Sequence, residues 1–473
     1  MTSGGETGTT RKGDMAENAE PATRQSGKPE LRRTVTWRTG VLVALGTAVL
    51  ICVSLGPMAE SIGTVSVFVW LGTGLIGALQ CVLLADLAQR FPSRAGGTAT
   101  YAYAVLGLER PVLGALSSWG YWCAWTPGIA INLILAAEYL RATVLPSVPV
   151  LVIMAVISVT LYLVNALGLD VWAYCSAVVA VVALPPLIIL MIGLILNPGM
   201  LDVDRLFRQD LPGVDFSNGA GWALIAKWAF VAAWSAYGAE MASTIVAEMR
   251  DPQLHVTRMM YLAGVICSVI FGAVPLLLVM AVGGTGLAQD PATVFLPAAE
   301  AVFGPAGAVV VGLMLAAGLV LGAQAFIVGS SRTVFQMTVD GYLPRQLSWI
   351  NRRGAPIGSL LLDVPIIVGL VLAFGTDVVG VVASANFGYL VVFILMPVAY
   401  LVLRHRDRAE RRSVNGSRAR DLLAVGLALL NIILLIVGGW QWGPKVVGIG
   451  FLVLALAVPM AMMHRRRAST APS

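Results

Sequence analysis

Two short stretches of this chain put polar backbone where an apolar helix would otherwise run. One is Cys52-Val53-Ser54-Leu55-Gly56-Pro57, in which Pro57 lacks the amide that would continue a helical ladder. The other is Trp234-Ser235-Ala236-Tyr237-Gly238-Ala239-Glu240, with a glycine and a carboxylate deep in an apolar run. An interrupted spanning helix frees N–H and C=O groups, and a bound solute can supply their partners. Amides from Cys52 to Gly56 can cap an anion at a half-helix N-terminus. Glu240 is the sharpest chemical feature, because an ionisable group at mid-bilayer costs at least roughly 2.5–3.5 kcal/mol. Its functional reading is a proton-coupled gate or an amine contact; its bland reading is a protonated carboxyl bonded to neighbouring backbone.

The other charges in apolar runs invite plainer readings. Glu138 sits beside Arg141 and reads as an outer-surface ion pair, and Glu60 follows the first break toward an outer vestibule. Lys227 is expected to snorkel outward or to pair with Asp215. Asp363 falls early in its apolar run, near an inner edge, where a structural partner is expected; Arg332 and Asp340 are expected to anchor an inner helix end. Trp119, Trp122 and Trp125 recur every third residue, a helical stripe suited to packing, with one ring free to border a solute.

Several chemistries are excluded. The five cysteines (Cys52, Cys81, Cys123, Cys175 and Cys267) lie in apolar runs, and the three histidines (His255, His405 and His464) map to the edges of such runs. No zinc, haem or iron–sulfur ligand set can be built from them, so no metal site and no cofactor is expected. The chain has no Gly-x-x-x-x-Gly-Lys loop, which excludes primary pumping by this chain alone. Nor do a nucleophile, a base and an orienting group converge, so an enzyme is not expected.

The elements that must position these residues follow from composition. Of 473 residues, 58% are hydrophobic and 12% charged, about half the charged share of a soluble protein. A helix needs roughly 20 apolar residues to cross the hydrocarbon core. Twelve such segments occur, near 39–63, 65–89, 111–141, 149–168, 172–196, 220–244, 258–283, 306–337, 356–375, 377–403, 421–440 and 445–463. Taking both termini as cytoplasmic puts 25 lysines and arginines inside and four outside, which are Arg141, Arg205, Arg208 and Lys445. The +6 net charge therefore reads as topology and not as a nucleic-acid surface. The basic cluster at 404–420 is topogenic on this reading, with lipid-headgroup recognition or docking of a cytoplasmic partner as alternatives. Residues 1–34 read as a disordered cytoplasmic tail with no cleavable signal peptide, and 466–473 as a second cytoplasmic tail.

The breaks fall in the first and sixth segments, the correspondence expected of inverted repeats over about 39–196 and 220–403, with extra helices over 421–463. Three further stretches carry a family resemblance. Phe91-Pro92-Ser93-Arg94-Ala95-Gly96-Gly97-Thr98-Ala99-Thr100-Tyr101 resembles the Pro-x-x-Gly-Gly-x-Tyr segment of the amino acid–polyamine–organocation superfamily, with one extra residue before the glycines and two before the tyrosine. Ala236 to Glu240, running on to Ala247-Glu248-Met249-Arg250-Asp251-Pro252, resembles that superfamily's sixth span and following loop. Arg332 and Asp340-Gly341-Tyr342-Leu343-Pro344 are similar to its eighth-span exit. The resemblance covers about residues 35–465, and the spacing from Pro57 to Gly96 looks most like the basic amino acid/polyamine antiporter branch.

The resemblance implies an all-α membrane protein of 12 transmembrane helices, an inverted 5+5 (leucine-transporter-like) repeat plus two C-terminal helices, with helices 1 and 6 broken. It implies a plasma-membrane secondary transporter, a permease or antiporter for an amino acid or related amine, working by alternating access in the lipid bilayer. The substrate's α-carboxylate would meet Cys52, Val53, Ser54 and Gly56. Its α-amino group would meet Ser235, Ala236 and Gly238, beside Tyr237. Trp234 would be an aromatic lid, Phe326 an aromatic wall and Glu240 the gating, proton-coupling carboxylate. A homodimer is one open assembly. The superfamily's Gly-Ser-Gly would fall at about Leu50-Ile51-Cys52 and is missing, and Ile129 stands where the arginine/agmatine exchanger has a polar side chain. Larger side chains tighten a carboxylate pocket, so a polyamine or organic-cation carrier, or a ligand sensor without turnover, stands as the alternative. Neither the span-eight hydroxyls of a sodium site nor a span-five lysine is present, which leaves exchange or a Glu240-linked proton step.

Overall fold

Apolar runs interrupted by proline and glycine become helices with defined kinks in the computed structural model. It describes residues 33, 35–94, 96–107, 109–167, 185–208, 213–289, 291–352, 357–409 and 417–470. The expected N-terminal tail up to residue 32, Cys175, the first half of the fifth expected span and residues 471–473 lie outside these.

The chain opens with α1 (Trp37–Gly46), a 3-10 stretch (Ala48–Val53) and α2 (Leu55–Ile62), with a 41° bend between the pieces. Pro57 sits in the first turn of α2, where its missing amide costs nothing, and Ser54 at the joint has non-helical angles (φ −136°, ψ 0°). Next come α3 (Val65–Arg90), which stops before Pro92, the short α4 (Thr98–Ala102) and α5 (Pro111–Thr143), which has proline at its start. The apolar helices α6 (Val150–Ala166) and α7 (Pro185–Leu196) are shorter.

In α8 (Gly219–Ala236) the Asn218 side chain caps the start by accepting the Gly221 amide at 3.0 Å. It passes into a 3-10 stretch over Tyr237–Glu248. Twelve residues is far beyond the usual three or four of such a helix, so this whole stretch departs from α-helical geometry. The rest is α9 (Pro252–Ala288), α10 (Leu296–Val339), α11 (Ile357–Phe374), α12 (Val378–Ala409), α13 (Arg418–Ile433), α14 (Gly443–Ala455) and α15 (Ala457–Thr470). Left-handed glycines kink α9 at Gly283 and α10 at Gly304.

Among the described residues, eight helices are long and apolar enough to cross a membrane, or nine if the bent α1–α2 pair is one span. The expected fourth segment answers to the shorter α6, the described part of the fifth to α7, and the sixth divides between α8 and its 3-10 continuation. The outer faces carry exposed apolar residues such as Phe68, Leu75, Val156, Leu163, Val265 and Leu372, as a lipid-facing surface requires. Buried at the centre is α5, packed against α6, α10, α11, α12 and α15.

The basic segments gather by ion pairing. Arg420 meets Asp86 at 2.9 Å, Arg90 meets Asp407 at 3.0 Å, and Arg406 meets Glu109 at 2.8 Å. Arg404 and Arg408 share Asp421. Near Gln89, which bonds Gln253 across the α3–α9 gap, Arg258 lies over the Trp37 ring at 4.3 Å. The strand-like pairing of Val35 with Met249 ties the start of α1 to the end of the 3-10 stretch. Four arginines of the 404–420 cluster thus clamp helix ends together, a role beyond topogenic charge.

Candidate functional site

The two irregular stretches pack on each other. Ser235 donates from its hydroxyl to the Leu50 carbonyl at 3.1 Å, linking the end of α8 to the first break. At Gly238 a Cβ would lie 2.7 Å from Thr47 Oγ1, so glycine is what lets the second irregular stretch reach the first. Cys52, Val53, Ser54, Trp234, Ser235, Ala236, Tyr237 and Gly238 are all buried. The Ser54 hydroxyl has no hydrogen-bond partner. Gly56 is packed against the backbone of Pro291.

Aromatic rings close the space beside these breaks. Trp234 donates its indole N–H to the Ala124 carbonyl at 3.0 Å, which fixes the ring against α5. Its centroid is 5.6 Å from Trp125 and 6.2 Å from Phe326, and Trp125 stacks on Phe326 at 5.0 Å. Tyr389 of α12 meets Trp125 edge-on at 5.0 Å. The Trp125 N–H and the Tyr389 hydroxyl are buried and lie beside the Glu240 carboxyl, so the rings bring polar groups as well as apolar faces to this space. Ile129 lies one turn beyond Trp125 and is buried. Tyr237 points elsewhere: its hydroxyl donates to Asn431 of α13 at 3.1 Å and its ring lies on Phe393.

Glu240 is held from two sides. Tyr121 of α5 donates to its Oε1 at 2.9 Å, and Thr98 at the start of α4 donates to its Oε2. Gly97 makes the second contact possible. It takes φ +67°, and a Cβ there would lie 2.9 Å from both Ser243 Oγ and Thr244 Cγ2 and 3.2 Å from the Tyr121 hydroxyl oxygen. The segment is held further by Ser117, which donates to the Ala99 carbonyl at 2.9 Å, and by Tyr101, which donates to the Ser243 carbonyl at 3.3 Å. The partners of Glu240 are therefore side chains from α4 and α5 and not its own neighbouring backbone. They join the second break to the glycine pair after α3.

The remaining charges settle as follows. Glu138 and Arg141 pair at 3.0 Å, and Glu60 is exposed. Lys227 lies over the Trp442 ring at 4.5 Å and not against Asp215, which is engaged by Ser217 and Asn218. Hydrogen bonds from the Ser217 amide and hydroxyl hold the exposed Asp215 carboxyl below the usual carboxylate range. Asp340 accepts from Gln336 at 2.9 Å. Asp363, seven residues into α11, is fully buried and has a partner in the Ser330 hydroxyl, from which it accepts at 2.5 Å.

Tyr121 and Tyr389 are not singled out by the sequence, and Thr98 is visible there only as part of the glycine-pair motif. Thr98 directly follows the glycine pair, and Tyr121 shares the helix of the tryptophan stripe. Those two positions were the available signals.

Residues 35–470 match the profile of a family described as amino acid permease. An uncharacterized transporter of Mycobacterium tuberculosis is 27% identical over 448 residues, covering 93% of this chain and 94% of its own. The amino-acid permease RocC of Bacillus subtilis is 22% identical over 426 residues, covering 84% and 86% of the two chains. An uncharacterized amino acid permease of the same bacterium, YvbW, is 23% identical over 391 residues, covering 80% and 85%.

Proposed function

The chain belongs to the amino acid permease family, and from that membership we propose that it is a secondary active transporter for an amino acid or a related amine. On this reading it has twelve spans in an inverted five-plus-five repeat, lies in the plasma membrane with both termini cytoplasmic, and works by alternating access. The single observation that carries the site assignment is the packing of the two irregular stretches, with Ser235 bonded to Leu50 beneath the Trp125, Trp234 and Phe326 rings. Opening that contact frees a carbonyl at the first break, the kind of group a substrate engages in a broken-helix carrier.

Glu240 is the gate in this proposal. Its carboxylate bonds Thr98 and Tyr121 while the site is shut. A proton on Glu240 weakens it as an acceptor for these two donors, so protonation and release of the α4 segment are linked. Net uptake or exchange then depends on whether the proton travels with the solute.

One observation favours amines over α-amino acids within this class. Leu50, Ile51 and Cys52 are buried bulk at the first break, while the opposing wall is a cage of aromatic faces suited to a cationic head.

Thermal stabilisation of the purified protein, by the common amino acids, their decarboxylated amines and polyamines at two pH values, tests both readings. Stabilisation by an amino acid but not its amine supports carboxylate recognition; stabilisation by amines alone supports the carrier of organic cations. Flux of the stabilising compound into proteoliposomes then separates a carrier from a sensor, and absence of flux in either direction for every compound overturns the transport assignment.

A further inference from the structure

A second carboxyl is enclosed in the helical core, apart from the two breaks. Asp363 lies seven residues into α11 and is fully buried. Its Oδ1 accepts from the Ser330 hydroxyl of α10 at 2.5 Å, while its Oδ2 is buried with no partner. Ser330 is itself engaged by α5: the Trp122 indole N–H donates to its oxygen at 2.7 Å, and the Thr126 hydroxyl lies 3.1 Å away. From the helices packed around Asp363, α5 presents Trp122 and Thr126, α10 presents Ser330, and α6 presents the Tyr162 phenol. Of these only Tyr162 titrates, and its hydroxyl also lacks a partner. Among the described residues no lysine or arginine pairs with Asp363.

We propose that Asp363 is a second proton-binding site of this protein, taking its proton on Oδ2. An ionised carboxylate there would face the interior with no donor on Oδ2 and no counter-charge, a state that costs several kcal/mol. A proton removes the charge and leaves the Ser330 bond to Oδ1 intact. A metal cation suits the site less. The Ser330 oxygen already takes the Trp122 N–H and is crowded by Thr126, so the surroundings offer donors more than the oxygen lone pairs a hard cation needs.

The site shares its helices with the aromatic cage. Ser330 is one turn beyond Phe326 on α10, and Trp122 and Thr126 flank Trp125 on α5. A shift of α10 against α5 that opens the stacked Trp125–Phe326 pair must also disturb the bonds of Ser330. Use of this proton as a coupling ion rests on the transport reading; its binding does not.

Acid titration of the purified full-length protein, followed by infrared difference spectroscopy of the protonated-carboxyl C=O stretch, tests the assignment. The wild type, Asp363→Asn, Glu240→Gln and Ser330→Ala are compared in choline chloride and in sodium chloride. The expected result is a carboxyl band lost in Asp363→Asn, retained in Glu240→Gln, displaced in Ser330→Ala and indifferent to sodium. A wild-type spectrum from which Asp363→Asn removes nothing overturns the proposal, and a band abolished by sodium overturns it in favour of a metal-cation site. Should Asp363→Asn not fold, Ser330→Ala decides, and an undisplaced band overturns the assignment. A protein that moves no amine or amino acid yet keeps the Asp363 band loses the transport reading and not this one.

Discussion

Glu240 and Asp363 are both shut off from solvent and both lean on α5, through Tyr121 and through Trp122 by way of Ser330. Those two α5 positions are about 100° apart on the helix. The environments differ in a way that assigns different work. Glu240 has a donor on each oxygen, one of them from the segment that follows the glycine pair. It is a latch between elements. Asp363 has the Ser330 bond on one oxygen, with Trp122 and Thr126 close by, and an orphaned second oxygen within a packed scaffold. It reads as a store for a proton and not as a fastener. The lesson is that a buried carboxyl is defined less by its burial than by how many of its lone pairs the fold has provided for.

The largest effect that would break this comparison is expected at the latch. Glu240→Gln keeps the shape of the side chain and removes its charge and its titration. Uptake driven by a pH gradient should fall at least about tenfold, or about 1.4 kcal/mol. Flux in proteoliposomes with and without the gradient is the measurement. Equal flux in the variant and the wild type would make Glu240 a packing group and erase the distinction from Asp363.

Next come the donors. Ser330→Ala strips Asp363 of its Ser330 bond and the Trp122 N–H of its acceptor. That should lower stability by about 1–3 kcal/mol, the cost of orphaned buried polar groups. Thr98→Ala leaves Glu240 its bond from Tyr121, so a loss nearer the low end of that range, about 1 kcal/mol, is expected. Denaturation midpoints of the two variants side by side give the order. A larger loss in Thr98→Ala would mean that the segment after the glycine pair, and not α10, bears the greater share of stability. Gly97→Ala sharpens the latch further, since φ +67° disfavours a side chain and its Cβ would press on Ser243 and Thr244. About 1–3 kcal/mol of strain is expected, with flux lost faster than stability.

How far the sequence reveals these places depends on whether the signal is local. Both breaks announce themselves through Pro57, Gly238 and Glu240 inside apolar runs, because backbone interruption is written in residues a few positions apart. The glycine pair is visible for the same reason: Gly96 and Gly97 both take positive φ. The partners are not local. Thr98 is 142 residues from Glu240 and Tyr121 is 119, so nothing short of the packed helices identifies them. For Asp363, early in its apolar run, a structural partner is expected from the sequence but not its identity: Ser330 lies 33 residues away on another helix. In the fold, α5 and α10 converge on that turn of α11 and bury it. The span count shows the same limit. Among the described residues eight or nine helices are long and apolar enough to cross a membrane. Helix α6 is apolar but short, and the sixth segment divides where α8 passes into its 3-10 stretch.

The smallest expected effect lies outside the membrane and serves as a control for both buried sites. Asp215 is fully exposed, and bonds from the Ser217 amide and hydroxyl stabilise its ionised form in the loop that leads to the α8 cap. Its folded value is therefore below its unfolded one. The contribution to stability is complete above the ordinary carboxylate range and disappears as the pH falls through the lowered folded value. Asp215→Asn should remove that acid-side step from a plot of melting temperature against pH and leave the neutral region unchanged. Glu240→Gln and Ser330→Ala should change the same plot elsewhere, because their partners are interior and cannot be replaced by water. If Asp215→Asn instead reshapes the plot near neutrality, the pH response belongs to the loop, and neither buried carboxyl is needed to explain it.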